Sequence, residues 1–346
     1  MAKAAPDKGY QKLKSDLAAG TPARAYLFYG EESYLREYYL GALKKALVPA
    51  GFEAFNYHKL DGKTLTAAQL AETVEAMPMM AEHTMVAVVD WDVFKLAEAQ
   101  RNALAALLDD LPDYCCLVFV YDLLDYKPDR KYKKLCAALD KNVQTVEFRQ
   151  ADKSDLMNWV RRRFRALGKD IDAQTAEHLL FTCGSLMTAL VPEIEKIGAF
   201  ARGASVTVAD IDAVADPVLD AVAFHLTNAI TRGDYNAASE ILGQLLKQQE
   251  EPFLILAAVG KELRRLYTAR IALDEGRDKQ WLMEQWGMRS DYPARLLLDA
   301  ARRTTRAWCE NGVRLCQRLD LRLKSETGVD DAGELKLLLM ELAQKQ

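Results

Sequence analysis

The chain has 346 residues and a formal net charge of −4, with 50% of its residues hydrophobic and 28% charged. These values are ordinary for a globular protein, and the length is sufficient for two or three domains, each with its own core. The negative charge argues against a protein whose whole surface attracts nucleic acid. Contacts to phosphate would therefore have to come from local basic patches.

The sequence has no segment that indicates a membrane. No stretch approaches the roughly 18 consecutive apolar residues of a membrane-spanning helix, and residues 1–20 lack the apolar core of a signal peptide. We therefore expect a cytoplasmic protein with reduced cysteines. The six cysteines form no Cys-x-x-Cys pair and the four histidines are scattered, so we predict no metal site.

Residues 1–150 are predicted to form a doubly wound α/β domain. Short apolar runs bounded by Gly or Asp are typical of buried parallel strands. Apolar residues at helical spacing, such as Leu35, Tyr39 and Leu43, lie between these runs. The apolar runs predict strands at Tyr26–Tyr29, Met85–Val89 and Cys115–Tyr121. A further strand is predicted at Phe55–Leu60, where apolar and polar residues alternate, and a weaker pattern predicts a fifth at Val143–Phe148.

Residues 151–346 are predicted to be helical, since no strand pattern follows Ala151. We expect a small helical domain over residues 151–215 and a larger one over residues 216–346. The predicted helices of the small domain are Asp155–Leu167, Ala173–Thr182, Ser185–Phe200 and Val208–Ala215. Those of the larger domain are Leu219–Ile230, Tyr235–Gln248, Phe253–Leu273, Lys279–Gln285, Pro293–Glu310, Gly312–Lys324 and Asp331–Gln344.

The turn after the first predicted strand occupies the place of a phosphate-binding loop but lacks its chemistry. Gly30 is followed by Glu31, Glu32 and Ser33. A working loop needs several glycines whose N–H groups hold phosphate, then a lysine and a Ser or Thr for magnesium. Exposed carboxylates in the first turn of a helix suit its dipole but repel a triphosphate. We predict a degenerate loop that binds no nucleotide.

Asp90 follows four apolar residues at the end of the third predicted strand, where an ATPase would place a magnesium-binding acid. A metal site needs partner ligands, and the degenerate loop supplies none. We therefore interpret Asp90 as a strand-end residue that caps the next helix. The sequence also lacks the Gly-x-Ser-x-Gly and His-Glu-x-x-His motifs of hydrolases. We predict no catalytic residue, no metal and no cofactor.

Three basic clusters are candidates for contact with phosphate. One is the arginine run on a predicted helix after residue 151, a second lies near residue 130, and a third includes Arg302, Arg303 and Arg306. Such a cluster is usually a solvated helix face paired with nearby acids, and the alternative is contact with a DNA backbone. The candidate DNA contacts are Arg161, Arg162, Arg163, Arg130 and Lys131.

Met77, Pro78, Met79 and Met80 form a segment of unusual composition between a predicted helix and the third strand. Turns are normally rich in Gly, Asn, Asp and Ser, whereas methionine is flexible and frequent at binding surfaces. Two interpretations stay open from these residues alone. The segment is either an apolar plug that returns to the core of its own domain, or an exposed binding wedge.

The chain resembles the delta subunit family of the bacterial DNA polymerase III clamp loader along its whole length. The segment of Met77–Met80 is similar to the family's Leu-Pro-Phe-Phe block, and the turn at Gly30 to its degenerate loop. The resemblance rests on the order and spacing of five blocks, which are Tyr26–Leu35, Ala76–Val89, Pro128–Leu135, Glu193–Ile197, and Leu319–Lys324 followed by Glu334–Leu342.

The resemblance implies an AAA+-type α/β domain over residues 1–150, a helical lid over 151–215 and a helical collar over 216–346. The collar would join the motor and delta-prime subunits, and primed DNA would be held by the assembled complex. The first domain would bind the β sliding clamp and open its ring without hydrolysing ATP. The wedge positions fall on Met79 and Met80, where the family commonly has Phe or Leu, and Met77 and Pro78 would shape the wedge.

Other functions remain as alternatives. An active AAA+ ATPase would need the lysine and hydroxyl that are missing after Gly30. A delta-prime or motor subunit would carry a cysteine-rich zinc module and a Ser-Arg-Cys motif in its first domain, and neither is present. A generic helical scaffold would leave the degenerate loop unexplained. The leading prediction is a non-catalytic clamp-loader subunit of the DNA polymerase III holoenzyme.

Overall fold

The computed structural model describes residues 8–288 and 290–344. The chain divides into two compact units, the first ending at Gln150 and the second beginning at Ala151. Helices and strands alternate in the first unit, and helices dominate the second. Over the described ranges, no helix combines the length and the apolar content needed to cross a membrane.

Five parallel strands form the sheet of the first unit, in the order β2-β3-β4-β1-β5. The strands are β1 (Ala25–Tyr29), β2 (Tyr57–Asp61), β3 (Thr84–Val89), β4 (Cys115–Val120) and β5 (Gln144–Glu147). The helices of this unit are α1 (Lys8–Ala19), α2 (Ser33–Leu47), α3 (Glu53–Asn56), α4 (Ala67–Glu75), α5 (Glu98–Asp109) and α6 (Lys133–Asn142). The predicted parallel α/β architecture is confirmed.

Both faces of this sheet are covered by helices. Successive residues of a strand point to opposite faces, so Leu27 packs in one core with Leu70 and Leu104, while Phe28 packs in the other with Leu43. The strands β1, β3 and β4 are buried on both faces because helices lie on each side. This burial explains why these strands have continuous apolar sequences rather than alternating ones.

Two elements of the first unit differ from the prediction. Helix α1 was missed because Leu13 is its one buried residue among those described, so its apolar pattern is weak. The second predicted strand was Phe55–Leu60, but Phe55 and Asn56 belong to α3, and β2 begins at Tyr57. The Asn56 side chain donates a hydrogen bond to the Phe52 carbonyl at 3.1 Å, which stabilises this short helical turn.

The second unit contains eleven described helices and one small parallel strand pair. The helices are α7 (Lys153–Ala166), α8 (Ala173–Cys183), α9 (Met187–Phe200), α10 (Val208–Val214), α11 (Leu219–Arg232), α12 (Tyr235–Lys247), α13 (Pro252–Asp274), α14 (Lys279–Trp286), α15 (Asp291–Ala301), α16 (Arg306–Ser325) and α17 (Asp331–Ala343). The prediction of an all-helical pattern after Ala151 is wrong in one detail, because β6 (Asp170–Ile171) pairs with β7 (Ser205–Val206). Strands of two residues are too short to show periodicity.

The predicted helix break near Gly312 is also wrong. The break lies between α15 and α16, where the Thr305 side chain accepts a hydrogen bond from the Trp308 N–H at 3.1 Å and caps α16. Gly312 lies inside α16, and a Cβ added there would lie 3.2 Å from a methyl group of Leu342 on α17. The glycine therefore serves close packing of the two helices rather than helix termination.

Candidate functional site

The carboxyl ends of β3, β4 and β1 lie side by side at one edge of the sheet, because β4 pairs with both neighbours in parallel. In open parallel sheets, ligands bind outside this edge. The residues that follow the three strands include Asp90 after β3, Asp122 after β4 and Gly30 after β1. We call this region the carboxyl edge, and a nucleotide would have to bind here.

The main chain of the degenerate loop packs against and hydrogen-bonds to the protein's own residues. Gly30 has a φ of +119°, and a Cβ there would lie 2.4 Å from the Phe148 carbonyl oxygen, so only glycine fits. The Glu32 N–H donates to the same Phe148 carbonyl at 3.0 Å. Glu32 is completely buried and immediately precedes α2, which begins at Ser33. The expectation that both glutamates are exposed is therefore wrong for Glu32 and correct for Glu31.

A buried arginine lies at the carboxyl edge. The Arg36 guanidinium donates a hydrogen bond to the Gly30 carbonyl at 2.7 Å and pairs with the Asp122 carboxylate. Arg36 lies one turn into α2 and is buried. Its charge is compensated by Asp122, so the cation nearest the degenerate loop is already engaged within the protein. This contact was not indicated by the sequence, since the two residues lie 86 positions apart.

Asp90 holds the turn that follows β4. Its carboxylate accepts hydrogen bonds from the N–H groups of Asp122 (2.8 Å), Leu123 (3.0 Å) and Leu124 (3.0 Å). Asp90 is 7% exposed and has a φ of +54°, a left-handed conformation that Asp tolerates better than most residues. The three hydrogen bonds all reach Oδ1, which gives the carboxylate a structural role in this turn.

The interpretation of Asp90 as the cap of the next helix is therefore wrong. The next helix is α5, and Ala97 stands at its N-terminal cap. Asp90 instead stabilises a turn that follows the neighbouring strand, a contact that strand pairing creates. Across residues 8–288 and 290–344, no group of three His, Cys, Asp or Glu side chains is arranged to hold a metal ion.

The methionine loop, which we define as residues 76–80, lies at the opposite edge of the sheet. It belongs to the segment between the end of α4 and the start of β3, so it lies near the amino ends of the strands. A capping box formed by Thr66 and Gln69 stabilises the start of α4. Leu70 and Val74 lie on the buried face of this helix. The Tyr114 hydroxyl donates a hydrogen bond to the Glu75 carbonyl at 2.8 Å, which gives a partner to one of the free carbonyl groups at the end of α4.

The three methionine side chains of this loop are exposed to solvent. The exposed fractions are 83% for Met77, 54% for Met79 and 79% for Met80, while Pro78 is half-buried. The interpretation of this segment as a plug in its own core is therefore wrong. Adjacent exposed apolar side chains are typical of an interaction surface. Phe55 on α3 is a further exposed apolar side chain.

Asn56 is the functional candidate that the sequence pattern did not indicate. It is completely buried at the end of α3. Its amide nitrogen donates to the Met79 carbonyl at 2.9 Å, and its amide oxygen accepts from the Met79 N–H at 2.8 Å. In the sequence Asn56 is a polar position of the alternating strand predicted over Phe55–Leu60, a pattern that gives no sign of burial. A buried Asn requires hydrogen-bond partners, and the main chain of Met79 supplies them.

Arg130 and Lys131, in the first unit, are exposed and paired with acids. Arg130 pairs with Asp140 at 2.6 Å, and Lys131 pairs with Asp129 at 2.6 Å. The hydrogen bond to Asp129 raises the pKa of Lys131 above its ordinary value. Both cations thus have the solvated, paired arrangement expected of most basic clusters. Their contact with DNA stays a prediction.

Arg161, Arg162 and Arg163 lie on α7, in the second unit. Arg163 lies 3.7 Å from the Glu195 carboxylate, and its guanidinium is 5.5 Å from the Trp159 ring centre. Arg162 is exposed, and the other two are half-buried. The predicted DNA contacts therefore belong to different units of the structure, and those on α7 also stay a prediction.

Two segments of the chain match models of known protein families. Residues 26–149 match the model described as DNA polymerase III, delta subunit. Residues 220–342 match the model described as DNA polymerase III delta subunit, C-terminal domain. The degenerate loop, Asp90 and the methionine loop all fall within the first match.

Individual relatives extend the similarity over nearly the whole chain. The DNA polymerase III subunit delta of Bacillus subtilis (strain 168) is 24% identical over 334 residues, which cover 94% of this chain and 93% of the relative. The corresponding subunit of Escherichia coli (strain K12) is 23% identical over 345 residues, with 97% and 96% covered. The solved Bacillus subtilis DNA clamp loader delta protein is 22% identical, with a TM-score of 0.55 and 97% and 99% of the two chains covered. This last likeness confirms the predicted fold class.

Proposed function

The chain belongs to the DNA polymerase III delta subunit family, and from this we propose that it binds the β sliding clamp through its methionine loop and helps to open the ring. The observation that carries this proposal is the exposure of Met77, Met79 and Met80 on a loop whose backbone is held at Glu75 and Met79. A surface that is apolar, exposed and already ordered is suited to enter a pocket of a partner.

The expected energies are sufficient for this role. Complete burial of two methionine side chains would contribute roughly 3–6 kcal/mol, at about 1.5–3 kcal/mol each. Ordering a flexible loop would consume part of this free energy, and an anchored backbone reduces that cost. If the loop binds the opened clamp more tightly than the closed clamp, binding alone shifts the ring toward the open form. No ATP hydrolysis by this chain is needed for that step.

We further propose that this chain does not hydrolyse ATP. Support comes from the carboxyl edge, where Arg36 is paired with Asp122 and the Asp90 carboxylate accepts backbone hydrogen bonds. The alternative of an active AAA+ ATPase would require a lysine after Gly30, which the sequence lacks. In this proposal the chain is a non-catalytic subunit, and the motor subunits supply the ATP chemistry.

The lid at residues 151–215 and the collar at residues 216–346 are part of the same proposal. In it, the collar joins the motor and delta-prime subunits, and the assembled complex holds primed DNA in the cytoplasm. Helices of the second unit carry exposed apolar side chains suited to such contacts. They are Phe253 and Leu254 on α13, Leu321 on α16, and Leu337 and Met340 on α17.

Replacing Met79 and Met80 together tests the clamp-binding surface. We expect the Met79→Ser/Met80→Ser variant to bind the sliding clamp of the same organism at least tenfold more weakly than the parent, a loss of about 1.4 kcal/mol or more. The loss follows from removing apolar area that the complex would bury. Surface plasmon resonance with immobilised clamp measures it.

Met340→Ser is the matched control, because Met340 is also an exposed methionine but lies on α17. It should bind the clamp like the parent, and both variants should keep the parent's melting temperature. Equal clamp binding by the parent and the double variant would place the interface elsewhere. If the parent itself does not bind the clamp, the proposed function is wrong.

Nucleotide binding is tested by thermal unfolding with Mg·ATP. A ligand at 100 times its dissociation constant stabilises the folded state by about 2.7 kcal/mol, which raises the melting temperature of a domain of this size by several degrees. We expect a change of less than about 1 °C, because the carboxyl edge is occupied by the protein's own groups. A concentration-dependent rise of several degrees would instead support the ATPase alternative.

A further inference from the structure

We propose that Asn56 is the positioning residue of the methionine loop: it holds the Met79 backbone so that Met79 and Met80 are presented in a binding-competent arrangement. This inference rests on the proposed function in assigning the clamp as the partner. The anchoring itself is a property of the isolated chain. Asn56 does not lie in the loop, and it precedes Met79 by 23 positions.

The geometry is specific for an amide side chain. The Asn56 nitrogen has two N–H donors, and they reach the carbonyls of Phe52 (3.1 Å) and Met79 (2.9 Å). Its oxygen accepts from the Met79 N–H at 2.8 Å. One side chain therefore bonds both main-chain groups of Met79, as a neighbouring strand does in a hydrogen-bonded pair. Such a contact restrains both the position and the orientation of the Met79 main chain.

The loop needs an anchor of this kind because its own side chains supply little packing. Met79 and Met80 are mostly exposed, so few buried apolar contacts hold them. Met80 also has a φ of +54°, a left-handed conformation that is unfavourable for a non-glycine residue. This conformation persists only where the surroundings compensate for it. The two hydrogen bonds to Met79 lie directly beside Met80 in the chain.

Asn56 is itself firmly placed. It is completely buried, and Tyr57, the next residue, begins β2, which pairs with β3. The segment between α4 and β3 is held at its two ends as well, since the hydroxyl of Tyr114 donates to the Glu75 carbonyl and the Thr84 N–H donates to the Tyr114 carbonyl at 2.8 Å. Asn56 thus supplies the central attachment between two fixed ends of the segment.

A mutant cycle between Asn56→Ala and the Met79→Ser/Met80→Ser variant tests this role by clamp affinity. If Asn56 acts through the position of Met79 and Met80, Asn56→Ala should weaken clamp binding at least fivefold in the parent. In the Met79→Ser/Met80→Ser background the same change should weaken binding less than twofold, because the side chains that it positions are gone. Equal effects in both backgrounds, or no effect in the parent, would overturn the proposal.

Hydrogen exchange separates this inference from the proposed function. The Met79 amide should exchange at least tenfold faster in Asn56→Ala, whereas the Val86 and Val88 amides of β3 should be unchanged. Parental exchange at Met79 in this variant would refute the anchoring whatever the clamp does. Failure of the parent to bind the clamp, with fast Met79 exchange in the variant, would refute only the proposed function.

Two further variants separate the loss of this anchor from a general loss of protein stability. Leu13→Ala removes a completely buried side chain from α1, which contacts β5 at the opposite end of the sheet from β2, and should destabilise the fold without changing clamp affinity. Asn56→Leu keeps the branched side-chain shape and the buried volume but removes both donors and the acceptor. If Asn56→Ala does not fold, Asn56→Leu should show the same cycle, and parent-like binding by it would overturn the proposal.

Discussion

Asp90→Ala is expected to lower the free energy of unfolding of the first unit by about 3–5 kcal/mol. The buried carboxylate accepts hydrogen bonds from the N–H groups of Asp122, Leu123 and Leu124. Hydrogen bonds to a charged group contribute roughly 1.5–3 kcal/mol each, and the effects of neighbouring bonds are not additive. Alanine also tolerates the φ of +54° at this position less well than aspartate does. Urea-dependent hydrogen exchange of the β3 and β4 amides measures the change.

Two matched variants separate the causes of that loss. Asp90→Asn retains an oxygen that can accept the same hydrogen bonds without the charge, so it should cost only about 1–2 kcal/mol. Asp90→Gly loses the acceptor as Asp90→Ala does, but glycine adopts this φ without strain. Its loss of unfolding free energy should therefore lie between those of the other two variants. If all three variants fall within about 0.5 kcal/mol of the parent, the Asp90 carboxylate does not stabilise the turn.

Glu262→Gln is expected to stabilise the second unit at alkaline pH. Glu262 is 4% exposed on α13, and burial raises the pKa of its carboxyl group from an ordinary 4.5 to about 7, although Arg265 opposes this rise. Below pH 4.5 the carboxyl group is neutral in both states, and the full stabilising contribution of its proton is present. As the pH rises from 4.5 to 7 that contribution is lost, because the carboxyl group of the unfolded state releases its proton while the buried one retains it.

Glutamine stays neutral at every pH and keeps an oxygen facing Arg265, whose Nη1 lies 3.5 Å from the Glu262 carboxylate. The variant should therefore be more stable than the parent at pH 8 by about 3 kcal/mol or slightly more, since each unit of the rise from 4.5 to about 7 contributes roughly 1.4 kcal/mol. The two proteins should converge near pH 4.5. Urea unfolding of both proteins across this range, followed by far-UV circular dichroism, measures the difference.

Glu341→Gln is the control for this pH dependence, because Glu341 is exposed on α17. Its stability curve should run parallel to that of the parent. If Glu262→Gln also runs parallel to the parent between pH 4.5 and 8, the buried carboxylate ionises without a cost to folding. A less stable Glu262→Gln at pH 8 would mean that the ion pair with Arg265 outweighs the burial of the charge.

Local patterns predicted the elements that carry continuous apolar sequence. The strands around Leu27, Val86 and Val118 were located because burial on both faces requires apolar residues at successive positions. Helix α1 and the short strand β6 were missed because each buries too few residues to produce a pattern. The break between α15 and α16 depends on a Thr305 cap, while the more conspicuous Gly312 lies inside a helix.

The amino-acid sequence by itself determined the alternating and helical parts of the chain, the missing lysine after Gly30, and the apolar character of Met77–Met80. These properties follow from residue types at neighbouring positions. Only the tertiary structure decided that the methionines are exposed, that Asn56 holds Met79, and that Asp90 holds a turn 33 positions away at Leu123. Sheet pairing creates these contacts between distant residues, and local periodicity contains no information about them.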